Sequence, residues 1–271
     1  AGLRYSGGTA AHAFAQLDGA AVRRVVVLGP SHKRRLGGGA LPPRGAEVYA
    51  TPLGDVDLDE DALEELRATG DFEELSLAAD EAEHSVEMQL PFTALRMEAA
   101  ADDWVLLPIL VGHLSEQACA RFAGHLAPLF DDEATVFVVS SDFCHWGSKF
   151  RYQPRYQNAL QPGPHLVPGM GVAGQANPIN AEIEALDLRA IELIRKQDGR
   201  AFAAHLDAER NTICGRHPIR LLLELLAGRP GRFAVEFLHY SQSKMLGQVP
   251  GPKDSSVSYA AGVCVELPPA G

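Results

Sequence analysis

The stretch "ATVFVVSSDFCHWG" at residues 134–147 joins an unbroken apolar run to an acid, a thiol and an imidazole. Unbroken runs of this kind are typical of strands that are covered on both faces of an α/β sheet. Polar groups at the end of a buried strand are stable only where they form hydrogen bonds with one another or bind a ligand. The stretch therefore predicts both a buried sheet and a candidate site at its edge.

The rest of the chain alternates between strand-like and helix-like patterns. The other predicted strands are 23–29, 104–112, 232–243 and 255–267. The predicted helices are 9–18, 59–70, 83–100, 115–130, 180–198 and 216–228. Pro91 should kink the third of these helices or start a new segment. The alternation predicts one α/β domain over residues 1–271, with a mixed, largely buried sheet flanked by helices.

Composition narrows the classes of partner. The chain has 271 residues, of which 46% are hydrophobic and 22% charged, and a formal net charge of -11. This charge argues against a nucleic-acid or anionic-membrane partner, and no run approaches the roughly 18 apolar residues of a membrane span. The four cysteines lack the spacing of a disulfide framework, which indicates free thiols in the cytosol or nucleus.

Residues 154–178 interrupt the alternation. They are dense in Pro and Gly and show no periodicity, which predicts a long loop or mobile insertion, with disorder as the alternative.

"VVVLGPSH" at 25–32 places Ser31 and His32 at the end of a predicted buried strand. In open α/β sheets, ligands collect at the carboxyl ends of strands. His32 is therefore a candidate for a metal or substrate contact; the alternative is a histidine that hydrogen-bonds a loop carbonyl.

"DEAEHSVEMQLPF" at 80–92 places His84 at the start of a helix and Glu87 one turn later. Residues three apart share a helix face. His84 and Glu87 could therefore bind a metal together or form a His–Glu hydrogen bond, or the residues could cap the helix.

Asp142 and His145 are also three apart. The acid can fix the tautomer of the imidazole, or the two can share a water as acid–base partners. Cys144 between them is expected to be a small core residue.

"TICGRHPI" at 212–219 places Cys214 at the head of a helix, with Arg216 and His217 beside it. Positive charge favours thiolate, which is a nucleophile or a soft metal ligand. The alternative is a core cysteine.

Together these element ends predict one pocket that contains His32, Asp142, His145 and Cys214 and is lined by Ser31, His84, Arg216 and His217. The topology of α/β sheets favours such convergence. Imidazole and thiolate donors suit Zn, Fe(II) or Cu(I).

The motifs "LGPSH", "DEAEHSVEMQLPF", "VVSSDFCHWG", "NTICGRHPI" and "DSSVSYAAG" resemble the Memo family, named for a mediator of ErbB2-driven cell motility. The resemblance runs from residue 1 to about residue 266. It implies a fold like that of class III extradiol dioxygenases, a metal (iron or copper) at the mouth of the sheet, and a redox role. It also implies binding of phosphotyrosine-containing receptor segments in motility signalling.

The resemblance implies that His32 and Cys214 bind the metal and that Asp142 and His145 line the same pocket. A further ligand histidine, from a Pro-His-Ala-Gly motif, would fall immediately before Ala1. Because the chain begins Ala1-Gly2-Leu3 without Met, we expect a fragment or processed form with an incomplete site, which would hold metal less tightly.

Two functions follow as hypotheses. One is a metal-dependent redox protein with Asp142 and His145 as catalytic groups, for which ring cleavage is not assumed from fold analogy. The other is an adaptor that binds a phosphotyrosine peptide beside Lys33, Arg34 and Arg35 without catalysis. An incompletely formed, inactive domain is the remaining alternative.

Overall fold

The computed structural model describes residues 1–100, 103–154, 178–247, 251 and 253–268. Residues 155–177, which make up almost all of the predicted Pro/Gly-rich loop at 154–178, lie outside the described residues. The strands are β1 (Arg24–Pro30), β2 (Gly39–Leu41), β3 (Val48–Thr51), β4 (Gly54–Asp57), β5 (Phe72–Glu74), β6 (Val105–Val111), β7 (Thr135–Val139), β8 (His145–Gly147), β9 (Phe233–Gln242) and β10 (Ser255–Glu266). The α-helices are α1 (Leu3–Phe14), α2 (Glu60–Ala68), α3 (Leu77–Glu81), α4 (Leu90–Met97), α5 (Glu116–Phe130), α6 (Ile179–Arg195), α7 (Gly199–Ala208) and α8 (Arg216–Ala227).

Five strands form the central sheet in the order β5-β2-β6-β1-β7. β1 lies between β6 and β7 and is parallel to both, so that Val27 pairs with Pro108 and Val138. β2 is parallel to β5 but antiparallel to β6, which makes the sheet mixed. In β1 and in β6 every residue after the first is buried, as their unbroken apolar runs predict. The prediction of an α/β fold with a mixed central sheet flanked by helices is confirmed.

The two long carboxyl-terminal strands do not join this sheet. β8, β10 and β9 form a separate antiparallel sheet in that order. α1 and α6 each contact both β9 and β10, while α8 contacts β1 and β7 of the central sheet. The second sheet therefore carries helices of its own.

The helix breaks follow local chemistry. A 3-10 turn at Glu87–Gln89 precedes α4, and Pro91 lies in the first turn of α4, which confirms that Pro91 starts a new segment. The predicted helix at 180–198 ends at Arg195. α7 follows, and its first turn is capped by Asp198, whose side chain accepts a hydrogen bond from the Ala201 backbone N–H at 2.8 Å.

Among the described residues, the helices are too short or too polar to span a bilayer. Because β1 and β7 are parallel, the chain that follows each of them leaves the sheet at the same edge. This edge carries His32 after β1 and Asp142 after β7.

Candidate metal centre

His32 lies just beyond the carboxyl end of β1 and is held there by Glu83. The backbone N–H of Ser31 donates to Val111 O at 3.1 Å, which fixes the turn after Pro30. His32 Nδ1 lies 2.9 Å from Glu83 Oε1, and the backbone N–H of His32 donates to Glu83 Oε2 at 2.6 Å. One carboxylate therefore holds both the ring and the main chain of His32.

Glu83 is not among the site residues that the sequence indicates. Its side chain is 2% exposed and also accepts the backbone N–H groups of His84 and Ser85, at 3.0 and 3.1 Å. Although burial acts to raise it, the hydrogen bonds from His32 lower the pKa of Glu83 to about 2, so the carboxylate is charged at neutral pH. Helical spacing favours Glu87 as the partner of His84, but Glu87 lines a different cavity. The sequence could have indicated Glu83 only through its position, as an acidic residue directly before His84.

Cys214 lies in the loop before α8, close to both His32 and the chain after β7. His32 and Cys214 line the same cavity, and the effect of Cys214, followed by that of Glu83, raises the pKa of His32 to about 9 against the effect of burial. The backbone N–H of Asp142 donates to Cys214 Sγ at 3.1 Å. An imidazole and a sulfur from distant parts of the sequence therefore meet at the edge of the sheet.

Gly215 allows the Cys214 loop to approach the chain after β7. Its backbone N–H donates to Ser141 Oγ at 3.0 Å. A Cβ added at Gly215 would lie 2.4 Å from Ser141 Cβ and 2.6 Å from Ser140 O, so a side chain here requires displacement of the main chain. This close approach places Cys214 where its sulfur reaches the Asp142 amide.

Asp142 and His145 form a second polar pair in the same region. Asp142 Oδ2 lies 3.4 Å from His145 Nε2 and 3.0 Å from the Ala1 amino group. His145 Nδ1 lies 3.0 Å from Thr212 O, and because a carbonyl oxygen can only accept, Nδ1 carries a proton. Burial acts to raise the pKa of Asp142, but the hydrogen bond with His145 is the largest of the effects that lower it below its usual value. Asp142 is therefore a charged, nearly buried acid.

His84 lies against His32. The two rings stack with their centroids 4.6 Å apart, and burial, followed by the charge on His32, lowers the pKa of His84. A neutral imidazole therefore adjoins the protonated one.

The structure places the other three predicted pocket-lining residues elsewhere. Ser31 Oγ donates to a neighbouring main-chain carbonyl at 2.6 Å, and Arg216 donates to the carbonyl of Asn211. His217 Nδ1 accepts the backbone N–H of Leu114 at 3.3 Å, and burial lowers the pKa of His217 to about 4. None of the three lines the cavity beside His32 and Cys214. Each has local partners that sequence spacing does not reveal.

This cavity has a volume of about 560 Å³ and contacts His32, Asp142 and Cys214. Its walls include every residue from 135 to 143 and every residue from 259 to 265. Since successive side chains of a strand point to opposite faces, such continuous lining means that the cavity meets the edges of β7 and β10. Within the described strands, β7 pairs only with β1, and residues 259–265 of β10 pair only with β9.

Comparison with known proteins connects this geometry to a family. A family model described as "Memo-like protein" matches residues 1–263. The chain belongs to the Memo family. Protein MEMO1 of Homo sapiens is 41% identical over 265 residues, which cover 97% of this chain and 82% of the relative. Protein MEMO1 of Xenopus laevis is 41% identical over 268 residues, with coverage of 98% and 83%. Protein memo-1 homolog of Caenorhabditis elegans is 38% identical over 269 residues, with coverage of 97% and 70%.

The donor set of this Memo-family chain fits iron or copper. His32, Glu83 and His84 each offer one ligand atom, and these atoms lie within 4.8 Å of one another. Glu83 already accepts hydrogen bonds from the ring and main chain of His32, which suits it to orienting a ligand more than to binding metal. The other donors of this group are the imidazoles of His32 and His84, and the sulfur of Cys214, which is outside the group, lines the same cavity as both. Nitrogen and thiolate donors are ones that iron and copper accept.

Proposed function

We propose that this Memo-family chain binds iron or copper through His32 and Cys214 and acts as a redox protein in receptor-linked cell motility signalling. The observation that supports this most directly is that His32 and Cys214, from distant parts of the sequence, line one cavity at the edge of the sheet. All four cysteines are free, which suits a reducing compartment, and we infer the cytosol or nucleus.

Glu83 prepares His32 for this role. When the proton on Nδ1 points to Glu83 Oε1, Nε2 is the nitrogen that faces a ligand. In the free protein His32 holds a second proton up to a pKa of about 9, because Cys214 and Glu83 stabilise the charged ring. Metal binding at neutral pH therefore releases a proton from His32.

Asp142 and His145 are positioned to hold and move a proton beside the metal ligands. The Nδ1–H of His145 donates to Thr212 O. Nε2 of His145 lies 3.4 Å from Asp142 Oδ2, so a proton can lie between these two atoms. The bound metal would supply one-electron chemistry. The charged Asp142 would hold His145 in the orientation from which Nε2 gives or takes a proton.

Metal analysis tests the proposal. Wild type, His32→Ala and Cys214→Ser are loaded with iron or copper, desalted and analysed by mass spectrometry for bound metal. His12→Ala and Cys119→Ser are matched controls, because they remove the same residue types from positions that do not line the cavity. We expect both site variants to retain less than about a tenth of the wild-type metal, since a lost ligand weakens binding strongly. Equal metal content in all five proteins would refute the proposal.

A phosphotyrosine-peptide adaptor is the second candidate. Lys33, Arg34 and Arg35 are exposed next to His32, although Arg34 already pairs with Glu73 at 2.8 Å. The charged carboxylate of Asp142 opposes a phosphate in the cavity itself, which favours the metal role. Titration with a phosphotyrosine peptide and its unphosphorylated twin decides: equal affinity for the two would rule out the adaptor mode.

A further inference from the structure

A second cavity, of about 370 Å³, lies between β3 and α3. We call it the β3–α3 groove: Val48, Tyr49 and Ala50 line it from β3, and Leu77 and Glu81 line it from α3. The segment 80–90 separates it from the metal centre. Residues 84 and 85 of that segment line the metal-centre cavity, whereas residues 86 and 87 line the groove. The groove is therefore a different site from the one described above.

The groove is apolar inside and at part of its rim. Leu75, Val86 and Leu110 are buried in its wall. Leu77 is 60% exposed and Val48 is 44% exposed on the two sides of its mouth. Exposed aliphatic side chains beside a concave apolar surface are typical of protein-binding sites.

The charged residues that line the groove are all acidic. Asp80, Glu81, Glu83 and Glu87 line it, and among the described residues of its lining none is Lys, Arg or His. Glu83 is engaged with His32, and Asp80 accepts the Tyr49 hydroxyl at 2.6 Å. Glu81 and Glu87 are exposed at the rim. Charge complementarity therefore favours a cationic partner.

The β3 side of the groove offers main-chain groups as well. Val48, Tyr49 and Ala50 are successive residues, so a cavity that contacts all three meets the edge of the strand. β3 pairs only with β4 among the described strands. An exposed strand edge of this kind accepts an extended peptide through main-chain hydrogen bonds.

We propose that the β3–α3 groove docks an extended segment of a partner protein in which Lys or Arg residues flank an aliphatic side chain. The segment adds to the free edge of β3 and places its aliphatic side chain between Val48 and Leu77. Its basic residues lie against Glu81 and Glu87. Neither the metal ligands nor the cavity beside them takes part.

A peptide titration tests this proposal. The probe is a fluorescein-labelled Lys-Val-Leu-Val-Lys peptide, and its binding to the 271-residue protein is followed by anisotropy. The comparison peptides are Glu-Val-Leu-Val-Glu, which reverses the charge, and Lys-Ser-Ser-Ser-Lys, which removes the apolar anchor. We expect the first peptide to bind at least about tenfold more tightly than either comparison peptide, since each lacks one of the two complementary features.

Protein variants locate the site. Leu77→Ala should lower the affinity for the Lys-Val-Leu-Val-Lys probe about fivefold. The double variant Glu81→Gln/Glu87→Gln should lower it about threefold for each carboxylate removed. Leu95→Ala and Glu65→Gln remove the same residue types from exposed positions outside the groove and should leave the affinity unchanged. Circular dichroism verifies that each variant is folded.

Three results would overturn the proposal. The first is that the acidic peptide binds as tightly as the basic one. The second is that the groove variants bind the basic peptide with the same affinity as the control variants. The third is that n-butylammonium displaces the peptide at the concentration at which the peptide itself saturates the protein. The last result would identify a site for small organic cations in place of a peptide groove.

Discussion

Glu83 holds His32 through both carboxylate oxygens: Oε1 lies 2.9 Å from the imidazole Nδ1, and Oε2 accepts the backbone N–H at 2.6 Å. The orientation of the His32 ring therefore depends on a buried acid from a different segment of the chain. A carboxylate in this position behind a histidine fixes the tautomer and raises the basicity of the other ring nitrogen.

Glu83→Gln tests this relationship. Glutamine keeps the shape of the side chain but removes the charge and one acceptor, so we expect the affinity for copper to fall about 10–100-fold. Competition with a chromophoric chelator measures the affinity. Glu87→Gln is the matched control, because its carboxylate lines the β3–α3 groove. An unchanged affinity in Glu83→Gln would assign Glu83 a purely structural role.

Gly215→Ala tests the close contact between the Cys214 loop and the chain after β7. The added methyl meets Ser141 Cβ at 2.4 Å and Ser140 O at 2.6 Å, and the main chain must move. We expect a loss of about 1–3 kcal/mol in the free energy of unfolding, measured in urea. We also expect weaker metal binding, because Cys214 moves with the loop.

Gly124→Ala is the control for this substitution. Gly124 lies within α5, and a Cβ there has no heavy atom within 4 Å. Alanine should stabilise the helix by up to about 1 kcal/mol. Wild-type stability and metal content in Gly215→Ala would contradict the role assigned to the close contact.

Asp187→Asn should remove part of the pH dependence of stability. Asp187 is buried, and burial raises its pKa from 3.8 to about 7 in the folded chain. Between about pH 4 and pH 7 the folded chain therefore holds a proton that the unfolded chain has lost. Stability must fall as the pH rises through this window, by about 4 kcal/mol in total for this group.

Urea denaturation between pH 4 and pH 8 measures this effect. Asn does not titrate, so the fall in stability should be smaller in Asp187→Asn than in wild type. Asp55→Asn, at an exposed position, should keep the wild-type slope. Parallel curves for wild type and Asp187→Asn would show that Asp187 is ionised throughout this range.

Metal binding should stabilise the folded chain. A ligand present at about 100 times its dissociation constant adds about 2.7 kcal/mol to the free energy of unfolding. Copper should therefore raise the melting temperature of wild type and of Cys119→Ser, whose residue lies outside the cavity, but not that of Cys214→Ser, and a chelator should reverse the rise. An equal rise in Cys214→Ser would place the metal elsewhere.

Local sequence predicted the parts of the fold that local patterns determine. The unbroken apolar runs of β1 and β6 marked strands covered on both faces. The run of β7 marked a strand as well, but β7 lies at the edge of the sheet and is only partly buried. The polar residues after β1 and β7 marked the edge that carries the candidate metal centre. Cys214 was predicted because it stands at the head of a helix, with Arg216 and His217 beside it. These signals lie within a few residues of the feature that they predict.

Features that depend on long-range contacts could not be predicted in this way. β2 and β5 have three residues each, too few to show a periodicity. The choice of β10 to pair with β8 and β9 rather than with the central sheet is decided by tertiary packing. Asp187 follows the polar pattern of its helix, yet it is buried because Tyr240 and Ser258 donate to it from β9 and β10. Glu83 likewise contacts His32 only in the folded chain, where β1 places His32 beside it.

The walls of the 560 Å³ cavity have a chemical consequence of their own. Along β7 and along residues 259–265 of β10, main-chain amides and carbonyls on one side have no strand partner within the described part of the chain. A purely hydrocarbon ligand would displace water from these groups without forming hydrogen bonds to replace those of the water. Molecules that carry donors and acceptors along their length should therefore outcompete oily ones of equal size for this space.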